Sequence, residues 1–191
     1  MVGKNCVGIA SDTRFGIRHQ TVATDCPKAF PITDKTWVGM PGLATDVQTV
    51  LSTIKFKVKL FELREDRVIE PKILGNMISN LLYQKRFGPY FVEPVVAGLT
   101  KGNEPFISAM DLIGAPVFAK DFVVSGTGSE ALYGMCETLY TDDLEPEDLF
   151  EVMSQCMLSA CNRDALGGWG AVVTIITSEG VTTRRLKGRQ D

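Results

Sequence analysis

Lys4-Asn-Cys-Val-Gly-Ile-Ala-Ser-Asp-Thr-Arg-Phe-Gly16 decides how this chain is read. From Cys6 to Ala10 the residues are small or apolar without interruption, and they give way to a turn carrying Asp12 and Gly16. A short apolar run closed off by turn residues is the pattern of a strand buried on both faces. The stretch therefore predicts a central strand of a sheet. Only Met1, Val2 and Gly3 precede Lys4, and none of them is a nucleophile.

Working outward, Ile17, His19, Thr21 and Ala23 alternate with Arg18, Gln20, Val22 and Thr24. This period-two pattern predicts one half-buried strand that pairs back on the first. Lys28 to Ile32 and Thr36 to Met40 read as a hairpin around Thr33-Asp34-Lys35. Beyond Pro41-Gly42 the period becomes helical: Val47, Val50, Leu51, Ile54, Val58 and Phe61 form one stripe, with lysines and glutamates opposite. A second helix follows Pro71 through Ile73, Leu74, Met77, Ile78, Leu81 and Leu82, ended by Gly88-Pro89. Strand signals return at 94–99 and 105–110, joined by a hairpin loop, and again at 117–124. Two more helical stripes follow, one after Gly126-Thr-Gly128 and one behind Pro146 and its acidic first turn. A last hairpin spans 170–186. Strands, helices, strands, helices, strands, without βαβ alternation, predict an α+β fold of antiparallel sheets with helices outside them, as a single domain over 1–191.

Composition narrows the function. The 191 residues are 45% hydrophobic with a formal net charge of -3, and mean hydropathy is +0.06. That balance belongs to a compact core and offers no argument for nucleic acid or a membrane surface. The cysteines, Cys6, Cys26, Cys136, Cys156 and Cys161, are odd in number, form no CxxC pair and mostly fall on apolar stripes. They read as reduced core thiols of an intracellular protein. His19, the lone histidine, has no partner at ligand spacing, so zinc is not expected.

Read together, several stretches resemble proteasome β-type subunits, in particular the third, non-catalytic type of the eukaryotic core particle. They are Lys4 to Asp12, Arg14-Phe-Gly16, Gly42-Leu-Ala-Thr-Asp46, Leu81 to Tyr90, Asp111-Leu-Ile-Gly114, Asp121 to Thr127, Tyr133 to Glu137 and Asn162-Arg-Asp164. The resemblance covers nearly the whole chain. It implies the four-layer αββα sandwich of N-terminal-nucleophile hydrolases, residence in cytoplasm and nucleus, and other proteasome α and β subunits as partners in stacked rings, serving ATP- and ubiquitin-dependent protein degradation.

In active members of that family an N-terminal threonine, freed from a propeptide, attacks the peptide carbonyl with its own amine as base. Carried over by position, the acidic residue after the first strand is Asp12, the lysine that tunes the nucleophile is Lys28 and the oxyanion glycine is Gly42. The supporting aspartate is Asp164. Two positions depart: Thr127 stands for the serine of a Gly-Ser-Gly turn, and Gly167 for the serine after the aspartate. The threonine itself would stand about five residues before Met1, outside the sequence given. The expectation is therefore a vestigial site with no catalysis, set against an active threonine protease whose propeptide and nucleophile lie upstream of Met1, and against a free-standing binding domain.

Four other readings stand beside these assignments. Asp12 and Lys28 could be a structural ion pair. Gly126-Thr-Gly-Ser129, ahead of a helix, could cradle phosphate. Asp164 with its following loop could offer oxygens to Mg2+ as a structural ion; no other cofactor is expected. Phe87, Tyr90 and Phe91 beside Pro89 could be subunit contacts or a loop packed on its own core.

Overall fold

The computed structural model describes residues 1–190. The opening stretch becomes β2 (Cys6–Asp12), with β1 (Val2–Gly3) ahead of it. Its neighbours are β1 on one side and β10 (Ala171–Ile176) on the other, and β11 (Val181–Leu186) completes a four-stranded antiparallel sheet. The register sets Asp12 opposite Ala171 and Val7 opposite Ile176. The expected central, doubly buried strand is what forms.

A second, five-stranded antiparallel sheet runs in sequence order through β5 (Ala29–Thr33), β6 (Thr36–Gly39), β7 (Val95–Leu99), β8 (Pro105–Met110) and β9 (Pro116–Ala119). Alternation along the strands divides the core into clusters. Val7 and Ile9 of β2 meet Ala97, Leu99 and Ile107 between the two sheets, together with Ile176. On the outer face of the five-stranded sheet, Val38, Val96 and Met110 pack on α1 (Ala44–Glu65) and α2 (Pro71–Tyr83) through Val50, Ile54, Val58, Leu74, Ile78 and Leu82. On the outer face of the other, Cys6, Val173 and Ile175 pack on α3 (Ser129–Leu139) and α4 (Pro146–Cys161) through Cys136, Leu149, Met153 and Cys156. Each fully buried aliphatic side chain here contributes roughly 1.5–3 kcal/mol. Gly8 permits α4 to lie this close: a Cβ there would stand 2.1 Å from Met153 Sδ.

Three local expectations are corrected. Residues 17–24 are not one strand paired on β2. They belong to a separate two-stranded hairpin, β3 (Phe15–Ile17) and β4 (Gln20–Ala23), because Arg18 adopts a left-handed φ of 54° and turns the chain. The strand expected over 117–124 ends at Ala119, after which the Asp121 carbonyl accepts from the Val2 amide at 2.8 Å and the chain leaves the sheet. Helix α2 ends at Tyr83 rather than at Gly88, and successive turns closed by Lys85, Arg86 and Gly88 amides fill the interval. No helix among the described residues is long and apolar enough to cross a membrane.

Candidate functional site

Asp12 ends β2 and Lys28 stands just before β5, so the strand order brings them to one end of the two sheets. Their side chains, 15% and 25% exposed, form an ion pair, and the other Asp12 oxygen accepts from the Gly168 amide at 3.1 Å. Gly42 sits where the chain turns from β6 into α1. It bridges Val92 with φ 139°, and a Cβ there would lie 2.1 Å from the Phe91 carbonyl oxygen. No other residue type fits that backbone without displacing it.

Asp164, in the loop after α4, accepts from the Thr127 hydroxyl at 2.7 Å through Oδ2 and from the Leu166 amide at 2.9 Å through Oδ1. A Cβ placed on Gly167 would stand 2.8 Å from Asp164 Oδ2 and 3.5 Å from Asp12 Oδ2. A serine there would reach both carboxylates; glycine brings no hydroxyl to either. Asp12, Lys28, Gly42, Thr127, Asp164 and Gly167 all line one cavity of about 1060 Å3. The residues carried over by position therefore converge.

Two contributors were not singled out from the sequence. Arg14 is buried, and its guanidinium donates to Thr21 Oγ1 (3.0 Å), Leu166 O (2.8 Å) and Arg18 O (3.1 Å), clipping the β3–β4 hairpin to the Asp164 loop. An arginine beside a turn reads as a solvated charge, and its carbonyl partners leave no mark in the sequence. Cys161, read as a core thiol, borders the same cavity. Burial and the Asp12 and Asp164 carboxylates, against Lys28, push its thiol up to about 11, so it is protonated and a poor nucleophile at neutral pH.

Other readings resolve by geometry. The phosphate cradle at 126–129 is disfavoured: the Thr127 hydroxyl is committed to Asp164, whose carboxylate lies against Gly128 and opposes an anion. Among the described residues no group of three or more His, Cys, Asp or Glu could hold a metal, so a cation at the Asp164 loop would rely on backbone carbonyls. Tyr90 packs on the α1–α2 core, whereas Phe87 and Phe91 are 97% and 61% exposed.

Comparison with known proteins adds to this geometry. The family model described as Proteasome subunit matches residues 1–176. Proteasome subunit beta type-3 of Dictyostelium discoideum is 55% identical over 192 residues, covering 100% of this chain and 94% of the relative. The protein of the same name from Picea mariana is 54% identical, and the probable proteasome subunit beta type-3 of Schizosaccharomyces pombe 53%, each over 191 residues with the same coverage.

Proposed function

The chain belongs to the proteasome subunit family, and from that premise we propose that it is a structural, non-catalytic β-type subunit of the proteasome core particle. It assembles with other α and β subunits in stacked rings and builds the chamber in which the complex, a threonine protease, degrades ubiquitin-tagged proteins in cytoplasm and nucleus. Its packed layers, helices over sheet over sheet over helices, suit the αββα sandwich of N-terminal-nucleophile hydrolases.

The observation that carries the non-catalytic reading is how the site's polar groups are spent. The Asp12–Lys28 pair keeps the residue types of active members, but the Thr127 hydroxyl is committed to Asp164, and position 167 brings no hydroxyl to bridge the two carboxylates. A lysine can activate a nucleophile only if a hydroxyl or amine stands beside its ammonium. Here the pair acts as a clamp between β2 and the start of β5. The reading needs no cofactor; a structural Mg2+ on the Asp164 loop would add to the clamp without taking part in chemistry.

N-terminal sequencing and intact mass of the subunit isolated from assembled particles, with parallel labelling by a threonine-directed epoxyketone, test this directly. The expected result is a terminus without threonine and no adduct. A terminal threonine carrying the label would make the chain a protease subunit instead.

A further inference from the structure

The cavity onto which Asp12, Lys28, Gly42, Thr127 and Asp164 open does not stop at them. Its lining also draws on all three core clusters: Met40 from the one under α1 and α2, Ile9 and Ile107 from between the sheets, and Phe122, Leu132 and Met153 from under α3 and α4. Protein interiors are close-packed, with few voids larger than a water molecule. A volume of about 1060 Å3 that reaches three core clusters at once is instead the size of a pocket that takes up a small molecule.

Two properties of the lining select that molecule. The first is charge, which is already spent. Asp12 and Lys28 hold each other, Asp164 accepts from the Thr127 hydroxyl and the Leu166 amide, and the Arg14 guanidinium donates to Thr21 and to the Leu166 and Arg18 carbonyls. The other charged residues of the lining, Arg18 and Glu93, are exposed and of opposite sign. An ionised ligand would give up its hydration for no counter-charge inside. The second is sulfur: Met40, Met153 and Met157 border the cavity together with the Cys136, Cys156 and Cys161 thiols. Thioethers are polarizable, adjust through three rotatable bonds and make favourable contacts with the edges of aromatic rings. Phe122, whose ring meets Tyr140 edge-on with 5.8 Å between centroids, adds an aromatic wall.

We propose that this cavity is a binding site for an uncharged aromatic small molecule, seated inward of the Asp12–Lys28 pair with its rings against the methionine thioethers and Phe122. The proposal rests on the non-catalytic reading of this end, because a peptide under cleavage would cover the cavity mouth. Occupancy and chemistry are read by different assays, so a failure of one is distinguishable from a failure of the other: the epoxyketone label reports the nucleophile, and the titration below reports only the cavity.

The test titrates the full chain, purified, with N-phenyl-1-naphthylamine, an uncharged aromatic amine whose emission brightens and shifts to the blue when it leaves water. In parallel it uses 8-anilino-1-naphthalenesulfonate, the same ring system bearing a sulfonate. The uncharged probe should bind saturably, one per chain, and the sulfonate at least about tenfold more weakly. Leu132→Trp, which adds ring bulk at the cavity wall, should weaken the uncharged probe by about tenfold or more. Phe87→Ser, on the exposed surface outside the cavity, should leave it unchanged. Should Leu132→Trp fold poorly, the unsubstituted chain answers by itself: bound probe should slow iodoacetamide alkylation of Cys161, which borders the cavity, and not that of Cys26, which does not. Absence of saturable binding, a sulfonate that binds as tightly, binding lost in Phe87→Ser but kept in Leu132→Trp, or a Cys161 rate unmoved by the probe would each overturn the proposal.

Discussion

Replacing Gly42 by alanine is expected to cost this protein far more stability than any catalytic argument for an oxyanion glycine requires. The position carries a φ of 139°, and the new methyl would lie 2.1 Å from the Phe91 carbonyl oxygen and 2.9 Å from Val92 Cα, both backbone atoms that no rotamer change can move. Backbone strain of this kind costs about 1–3 kcal/mol, and forcing a methyl into a filled site adds about 1–3 kcal/mol. The expected loss is roughly 2–6 kcal/mol. Two further glycines separate the contributions. At Gly126 φ is 101° but a Cβ would find only Pro41 atoms at 3.5 and 3.9 Å, so Gly126→Ala keeps the strain without the clash and should cost about 1–3 kcal/mol. At Gly88 a Cβ meets nothing within 4 Å and φ is not in the left-handed region, so Gly88→Ala should be neutral or stabilise by up to about 1 kcal/mol. Urea titration of the purified chain, followed by circular dichroism, orders the three midpoints. A Gly42→Ala loss no larger than that of Gly126→Ala would refute the reasoning, because the clash with Phe91 would then be absent.

The remaining predictions concern the charges and thiol at the same end. Lys28→Met leaves the Asp12 carboxylate without its cation; discounted for the partial exposure of both groups, the loss should be about 1–3 kcal/mol in urea midpoints, partly restored by adding Asp12→Asn, while peptidase activity per assembled particle stays unchanged. A measured loss of activity at constant assembly would place Lys28 in the chemistry. For Cys161, the thiol is pushed up from 9.0 to about 11 in the folded state. Folding therefore favours its protonated form: the contribution is fully present below about pH 9 and disappears as pH rises towards 11. Unfolding midpoints of the unsubstituted chain should fall more steeply across that window than those of Cys161→Ala; parallel slopes would sink the assignment.

How much of this was legible in the sequence depends on where the determining partner lies. The β2 run, the α1 and α2 stripes and the Pro71 and Pro146 helix starts are set by neighbours a few residues away, so their periodicity declares them. The β3–β4 turn escaped because its left-handed residue is Arg18, a type that carries no turn signal, and the alternation ran unbroken through it. The site was harder. Asp12 and Lys28 became neighbours in the reading only through resemblance to a family, since nothing local pairs a strand end with a residue 16 positions on. Arg14 was missed because it acts on a carbonyl 152 residues away, a relation that only the packed chain creates.

That separation in sequence also orders events in time. The five-stranded sheet and the helices α1 and α2 that cover it are drawn from one continuous span, Ala29 to Ala119, and can close while the rest of the chain is still being made. Strand β2 leaves the ribosome before that span, yet its principal partner β10 begins at Ala171. Until Ala171 to Ile176 have been made, an apolar strand with an open hydrogen-bonding edge waits for its mate, the condition in which strands pair with the wrong chain. Nascent β2 is thus a segment that a protecting partner would serve before folding is complete, and closure of the four-stranded sheet, a contact of very long range, is expected to be slow.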